Sequence, residues 1–145
     1  MPEPIDLEYD VVADDYQTAG EASNNLKETL KILGVNSSIC RRAAIIAYEA
    51  EMNLVIHAGG GRIVANIDEN KVEIKTIDQG PGIPDIGLAI QEGYTTAGDH
   101  AREMGFGAGM GLPNIKRNAD VFEIDTKVGV GTTLRTVINL KESPI

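Results

Sequence analysis

Three polar side chains, Glu49, Asn53 and His57, recur every four residues through an otherwise apolar segment, and no feature of the chain restricts its fold more. Four residues turn an α-helix by roughly 400°, so these positions drift only about 40° per step and share one face. Around them Ile39, Ala43, Ile46, Ala47, Ala50 and Val55 follow helical spacing and need a core to face. A carboxylate and an amide beside that core require partners, because burial without them costs about 1–3 kcal/mol each. The segment therefore predicts a long helix, from Asn36–Ser38 to about Ala58, with a polar stripe kept for something other than packing.

The other patterns are shorter. Ile5 to Val12 alternates apolar and acidic residues, the signature of a half-buried strand. Thr18-Ala-Gly-Glu21 has capping-box spacing and opens a helix with Ala22, Leu26, Leu30 and Leu33 inward, stopped at Gly34. Gly59-Gly60-Gly61 ends the long helix. Arg62–Asp68 and Lys71–Asp78 read as two strands of a hairpin turned by Glu69-Asn70. A short helix is predicted over Ile86–Glu92, a polar loop over Gly93–Gly105, a helix over Gly109–Asn118, and closing strands over Val121–Thr126 and Thr132–Leu140. This order predicts an α/β (α+β) two-layer sandwich, with helices on one face of a mixed, mostly antiparallel sheet. At 145 residues without repeats or linkers, residues 1–145 are expected to form a single domain.

The charge balance narrows the partners. A formal net charge of −9 argues against nucleic acid or an anionic membrane held by bulk electrostatics. Cys40 is the only cysteine, which excludes an intramolecular disulfide and a cysteine-based zinc site and makes it a small core residue. The N-terminal residues do not resemble a signal peptide, and no apolar run approaches the ~18–20 residues of a spanning helix. A cytoplasmic location is expected.

Two glycine-rich segments supply the chemistry that the stripe calls for. In Asp78-Gln-Gly80-Pro-Gly82 a carboxylate can accept a hydrogen bond from an exocyclic amine while the glycines let a flat base lie against backbone. The same residues also serve ordinary turns. Gly105, Gly107, Gly109 and Gly111 alternate and run into a helix, so successive N–H groups and a helix N-terminus can converge on an anion. Residue 110 is Met, which breaks the GxGxxG dinucleotide fingerprint, and the GxxxxGK[ST] phosphate loop is absent. Asn53 can lend an oxygen to Mg²⁺ completed by phosphates and water, and Glu49 one turn earlier can take a proton from an attacking hydroxyl. Gly129-Val-Gly131-Thr132-Thr133 is a turn into a strand that could bring Thr132 or Thr133 near a base through water. His57 has no metal-ligand partner and closes the helix, where the dipole favours imidazolium. His100 and Arg102 could reach a phosphate should the loop close, although most such loop charges are simply solvated. An ATP site is the reading that uses all of these.

In this order the motifs resemble those of the Bergerat-fold (GHKL) ATPases. Glu49–Asn53–His57 looks like the family's N box, Asp78–Gly82 its first glycine box, Gly105–Gly111 its second, and Gly129–Thr133 its closing turn. His57-Ala-Gly-Gly-Gly61, Asp78-Gln-Gly-Pro-Gly-Ile-Pro-Asp85 and Gly93-Tyr-Thr-Thr-Ala-Gly98 look most like the anti-sigma-factor serine/threonine kinases, in particular the stressosome switch kinases. The resemblance implies ATP and Mg²⁺ as cofactors and transfer of the γ-phosphoryl group to a serine or threonine of a STAS-domain antagonist. It makes Glu49 the catalytic base, Asn53 the Mg²⁺ ligand and Asp78 the adenine reader. It extends nucleotide contacts to His57, Gly80, Gly82, Ile83, Gly105, Gly107, Ala108, Gly109, Met110, Gly111, Leu112, Thr132 and Thr133.

Two further readings stay open. The chain could act as an ATP-dependent binding switch that sequesters a sigma factor or activates a PP2C-type phosphatase, with ATP as a conformational ligand. A free-standing catalytic domain of a histidine kinase is disfavoured, since no phospho-acceptor histidine lies on a long amphipathic helix. Apolar residues of the first strand and helix offer a face for a homodimer or a partner.

Overall fold

The computed structural model describes residues 4–13, 15, 17–83, 87 and 111–140. Eight elements follow in the order β1 (Ile5–Val12), α1 (Glu21–Ile32), α2 (Ser37–Ile56), β2 (Gly60–Ile67), β3 (Lys71–Asp78), α3 (Gly111–Asn118), β4 (Val121–Lys127) and β5 (Gly131–Asn139). The strands form one sheet in the order β1-β2-β3-β5-β4, and every described pairing is antiparallel. Of the expected Ile86–Glu92 helix only Gly87, which is helical, is among the described residues, and the expected Gly93–Gly105 loop lies outside them.

Alternation decides which sheet face is covered. Ile63, Ala65 and Ile67 of β2, Val72 and Ile74 of β3, and Leu134 and Ile138 of β5 are buried beneath the helices. Leu26 and Leu30 of α1, Ala43, Ile46, Ala47, Ala50 and Leu54 of α2, and Ile115 of α3 fill the other side of this core. Small residues at 43, 47 and 50 let α2 approach the sheet closely. On the opposite face Arg135 pairs with Glu73 at 2.8 Å and with Glu123, and Arg62 pairs with Glu8 at 3.0 Å. An exposed pair such as Arg62–Glu8 contributes at most about 1 kcal/mol, so it marks a solvated surface, and the described helices lie on the other face of the sheet.

Local chemistry sets the boundaries. Asn36 caps α2 by accepting the Ser38 N–H at 2.8 Å. Asp68 Oδ1 accepts the N–H groups of Asn70 (2.7 Å) and Lys71 (2.9 Å), which shapes the two-residue β2–β3 turn. At the end of α1 the Val35 N–H bonds Leu30 O and the Gly34 N–H bonds Lys31 O, both at 3.0 Å, a Schellman stop.

The start of α1 departs from the expected capping box. Its N-cap is Gly20, not Thr18, and no side chain of the N-cap residue completes it. Instead the carboxylate of Glu51, only 3% exposed, accepts the Ala22 N–H at 3.3 Å and the Ser23 N–H at 3.2 Å. Thr18 is drawn outward, its own N–H donated to Asp15 Oδ1 at 3.2 Å. A charge on the neighbouring helix thus replaces the local cap, satisfying two orphan donors at once.

Candidate functional site

The polar stripe predicted on α2 is present, and the start of α3 is what lies against it. A Cβ placed on Gly111 would come 3.1 Å from Asn53 Oδ1 and 3.5 Å from Glu49 Oε2. A methyl group there would press on Asn53 and touch Glu49 at ordinary contact distance. One turn into α3, Asn114 Nδ2 donates to Glu49 Oε1 at 3.3 Å, and Arg117 Nη1 donates to Asn114 Oδ1 at 3.1 Å. Gly111, far along the chain, is therefore brought to Glu49 and Asn53, which lie one helical turn apart, and all three are half-buried.

A second group assembles where β3 ends. Asp78 stands opposite Thr132 in the β3–β5 register, and its Oδ1 accepts the N–H groups of Gly80 (2.9 Å) and Thr132 (3.2 Å). Both of these bonds fall on one carboxylate oxygen. The turn after Asp78 is pressed onto the end of α2: a Cβ on Gly80 would lie 2.6 Å from Ala58 O, a backbone atom that cannot step aside. Gly61, paired with β1 opposite Val11, brings Leu54 and Asp78 together, since its Cβ would meet both side chains at 3.0 and 3.2 Å.

Thr126 joins this group although sequence reasoning passed it over. Its Oγ1 accepts the Ile83 N–H at 2.9 Å and lies 2.8 Å from Thr132 Oγ1. The signal was a hydroxyl in an apolar slot: Phe122, Ile124 and Thr126 share the half-buried side of β4. Asn114 and Glu51 were missed in the same way, as polar residues beside apolar helix positions whose partners lie far along the chain.

The remaining predicted residues divide. Ile83 is tied to Thr126 through its backbone, and Leu112 packs against the core. Thr133 alternates to the other face, in register with Ile77 and Asp125, so the structure does not bring it to Asp78 as it brings Thr132. Gly105, Gly107, Ala108, Gly109 and Met110, like His100 and Arg102, lie outside the described residues.

His57 corrects an expectation. It is the C-cap of α2, its N–H bonded to Asn53 O at 2.9 Å, as the stripe required. Burial, however, lowers its pKa below the ordinary imidazole value, so the neutral ring is favoured over the imidazolium expected from the helix dipole.

Among the described residues no cluster of three or more His, Cys, Asp or Glu side chains could hold a metal by itself. The donor beside Gly111 is instead a single amide oxygen, Asn53 Oδ1, of the oxygen-ligand type that Mg²⁺ takes while water and phosphates complete its shell. No helix among the described residues is long and apolar enough to cross a membrane.

Comparison with known proteins places the chain in a family. Residues 39–142 match the family model described as histidine kinase-, DNA gyrase B-, and HSP90-like ATPase. The chain is 32% identical over 137 residues to the serine/threonine-protein kinase RsbT of Bacillus subtilis, covering 92% of this chain and 91% of that one. It is 36% identical over 92 residues to an anti-sigma F factor of Caldanaerobacter subterraneus, covering 60% and 61% of the two chains. Among solved structures, a mycobacterial sensor histidine kinase, MprB, superposes with a TM-score of 0.53 at 19% identity, covering 94% of this chain and 96% of that chain. The SiaB-SiaC complex from Pseudomonas aeruginosa gives 0.60 at 18% identity, with coverage of 91% and 88%. These two likenesses speak for the fold alone.

Proposed function

The chain belongs to the histidine kinase-, DNA gyrase B-, and HSP90-like ATPase family, and from that premise we propose an Mg-ATP-dependent protein serine/threonine kinase whose acceptor is a STAS-domain antagonist in a partner-switching pathway. Similarity to RsbT along nearly the whole of both chains supports the kinase activity. Similarity to an anti-sigma F factor supports the partner-switching setting. A sigma factor or a PP2C-type phosphatase would be the protein released or engaged by such a switch. The same reading puts the protein in the cytoplasm and treats residues 1–145 as one catalytic domain.

The single observation that carries the mechanism is Glu49 and Asn53 held side by side against Gly111. Asn53 Oδ1 would hold Mg²⁺, which when bound would neutralise charge on the phosphate oxygens. Glu49 accepts the proton of the incoming serine or threonine hydroxyl as that oxygen bonds to the γ-phosphorus and the ADP oxygen leaves. Asp78, with Oδ1 committed to backbone donors, offers Oδ2 to the exocyclic amine of adenine. Thr132, linked to Thr126, lines the base beside it. Gly105, Gly107, Ala108, Gly109 and Met110 belong to the segment entering α3 and take the phosphate-cradle role, and His57, neutral, braces the end of α2.

Mixing the protein with Mg-ATP and a panel of purified STAS-domain proteins should yield a phosphoserine or phosphothreonine on one of them. Glu49→Gln should keep Mg-ATP affinity and slow transfer by roughly 10²–10⁴-fold, the range of a lost general base. Transfer at the wild-type rate in that variant removes Glu49 from the chemistry. ATP-dependent capture of a partner without phosphate on it would instead favour a pure binding switch.

A further inference from the structure

A glutamate can abstract a proton only when one of its oxygens faces the acceptor hydroxyl, and its three side-chain torsions leave that orientation undetermined. Here the orientation is set from the neighbouring helix. Asn114 Nδ2 donates to Glu49 Oε1 at 3.3 Å, while Oε2 is the oxygen that approaches the Gly111 position, at 3.5 Å from where a Cβ would stand. The carboxylate therefore turns Oε1 to Asn114 and Oε2 toward the glycine that opens α3.

Asn114 could present either its oxygen or its nitrogen to a carboxylate, and only the nitrogen attracts it. Arg117, one turn further along α3, makes the choice: its Nη1 donates to Asn114 Oδ1 at 3.1 Å, which leaves Nδ2 for Glu49. Asn118 adds a bond from Nδ2 to Asn114 O at 2.8 Å, fixing the backbone turn from which Asn114 projects. The donors run in one direction, Arg117 to Asn114 to Glu49, and each half of the Asn114 amide is used.

Resting on the kinase reading above, we infer that Asn114 is a positioning residue for phosphoryl transfer, which acts by holding the Glu49 carboxylate with Oε2 toward the acceptor and is itself oriented by Arg117. Asn114→Leu, close in volume but without the donor, lets the carboxylate rotate away. Asn114→Asp presents oxygen to oxygen. Asn114→Gln restores a donor at a longer reach.

Single-turnover transfer from Mg-ATP to the STAS acceptor and the Mg-ATP dissociation constant are measured for each variant, alone and with Glu49→Gln. Asn114→Leu should slow transfer by roughly 10²-fold, the scale of a misplaced reacting group, with nucleotide affinity within about twofold of wild type. Asn114→Asp should be slower still and Asn114→Gln partly restored. In the Glu49→Gln background Asn114→Leu should add little, because the group that it positions is gone. Equal losses in both backgrounds, or a loss accounted for by weaker nucleotide binding, overturn the proposal and make Asn114 a packing or ligand contact.

A second readout does not depend on kinase activity. The Asn114 side-chain amide resonance in ¹⁵N spectra should move in Glu49→Gln and in Arg117→Leu, and an unmoved resonance overturns the assigned hydrogen bonds. Wild-type protein that binds Mg-ATP without phosphorylating any acceptor would refute the kinase reading, while the resonance would still decide the Arg117–Asn114–Glu49 chain.

Discussion

Glu51 Oε1 accepts the backbone N–H of Ser23, 28 residues earlier in the chain, at 3.2 Å, so a side chain of α2 caps the start of α1. Oε2 does the same for Ala22 at 3.3 Å. The contact fixes the start of α1 to the middle of α2, two residues from Glu49 and Asn53 on either side. Replacement by alanine strands two buried donors and should lower stability by roughly 2–6 kcal/mol, at about 1–3 kcal/mol for each donor. Glu51→Gln, which retains one acceptor oxygen, should lose less. Urea unfolding followed by circular dichroism, compared at constant m-value, measures both.

Gly111→Ala separates stability from ligand binding. Alanine favours a helix over glycine and stabilises such positions by about 0.4–1 kcal/mol where the backbone permits. Its methyl group would press on Asn53 Oδ1 from 3.1 Å. The variant should therefore melt no lower than wild type yet bind Mg-ATP about tenfold more weakly, equivalent to about 1.4 kcal/mol. Calorimetric titration beside a thermal melt tests the opposition, and unchanged affinity would detach Gly111 from the site.

His57 gives a pH dependence of defined sign. Burial holds its folded pKa below the ordinary value of about 6.5, so the unfolded chain binds the proton more readily. Stability is then complete above about pH 6.5, falls as the pH drops below it, and levels off only below the folded pKa. His57→Asn should flatten the change in unfolding free energy between about pH 7.5 and 5.5. A slope as steep as that of wild type would show that other groups carry it.

Thr126→Val keeps the shape of the side chain and deletes its hydroxyl. The Ile83 N–H and Thr132 Oγ1 then lose a shared partner at 2.9 and 2.8 Å. A loss of roughly 1–3 kcal/mol in stability is expected if no solvent replaces it. Affinity for nucleotide should fall in parallel, because Thr132 and the Asp78 turn are linked through this hydroxyl. Asp78 itself stays in place, so Thr126→Val should weaken ATP less than Asp78→Ala does.

The elements were legible where periodicity was strong and uninterrupted. β3 falls on Lys71–Asp78 as its alternation indicated, and α2 runs from Ser37 to Ile56 with Glu49, Asn53 and His57 on one face. The one capping error, Thr18, arose because a capping box is a local pattern and Glu51 competes from another helix. The charge of His57 was misjudged for a related reason: the dipole can be read from its place at a helix end, but burial cannot. Thr132 and Thr133 looked equivalent in one dimension until the register with Asp78 separated their faces.

By itself the order of residues determined the polar stripe, the strand alternation and the glycines at the two turns, since each depends on backbone periods of 3.6 or 2 residues or on a side chain's absence. Tertiary structure alone decided which polar groups meet: Asn114 with Glu49, Thr126 with Ile83, Glu51 with Ser23. Hydrogen bonds act over about 3 Å in space, whatever the separation along the chain, so their partners become visible only when the packed core has set the distance between elements.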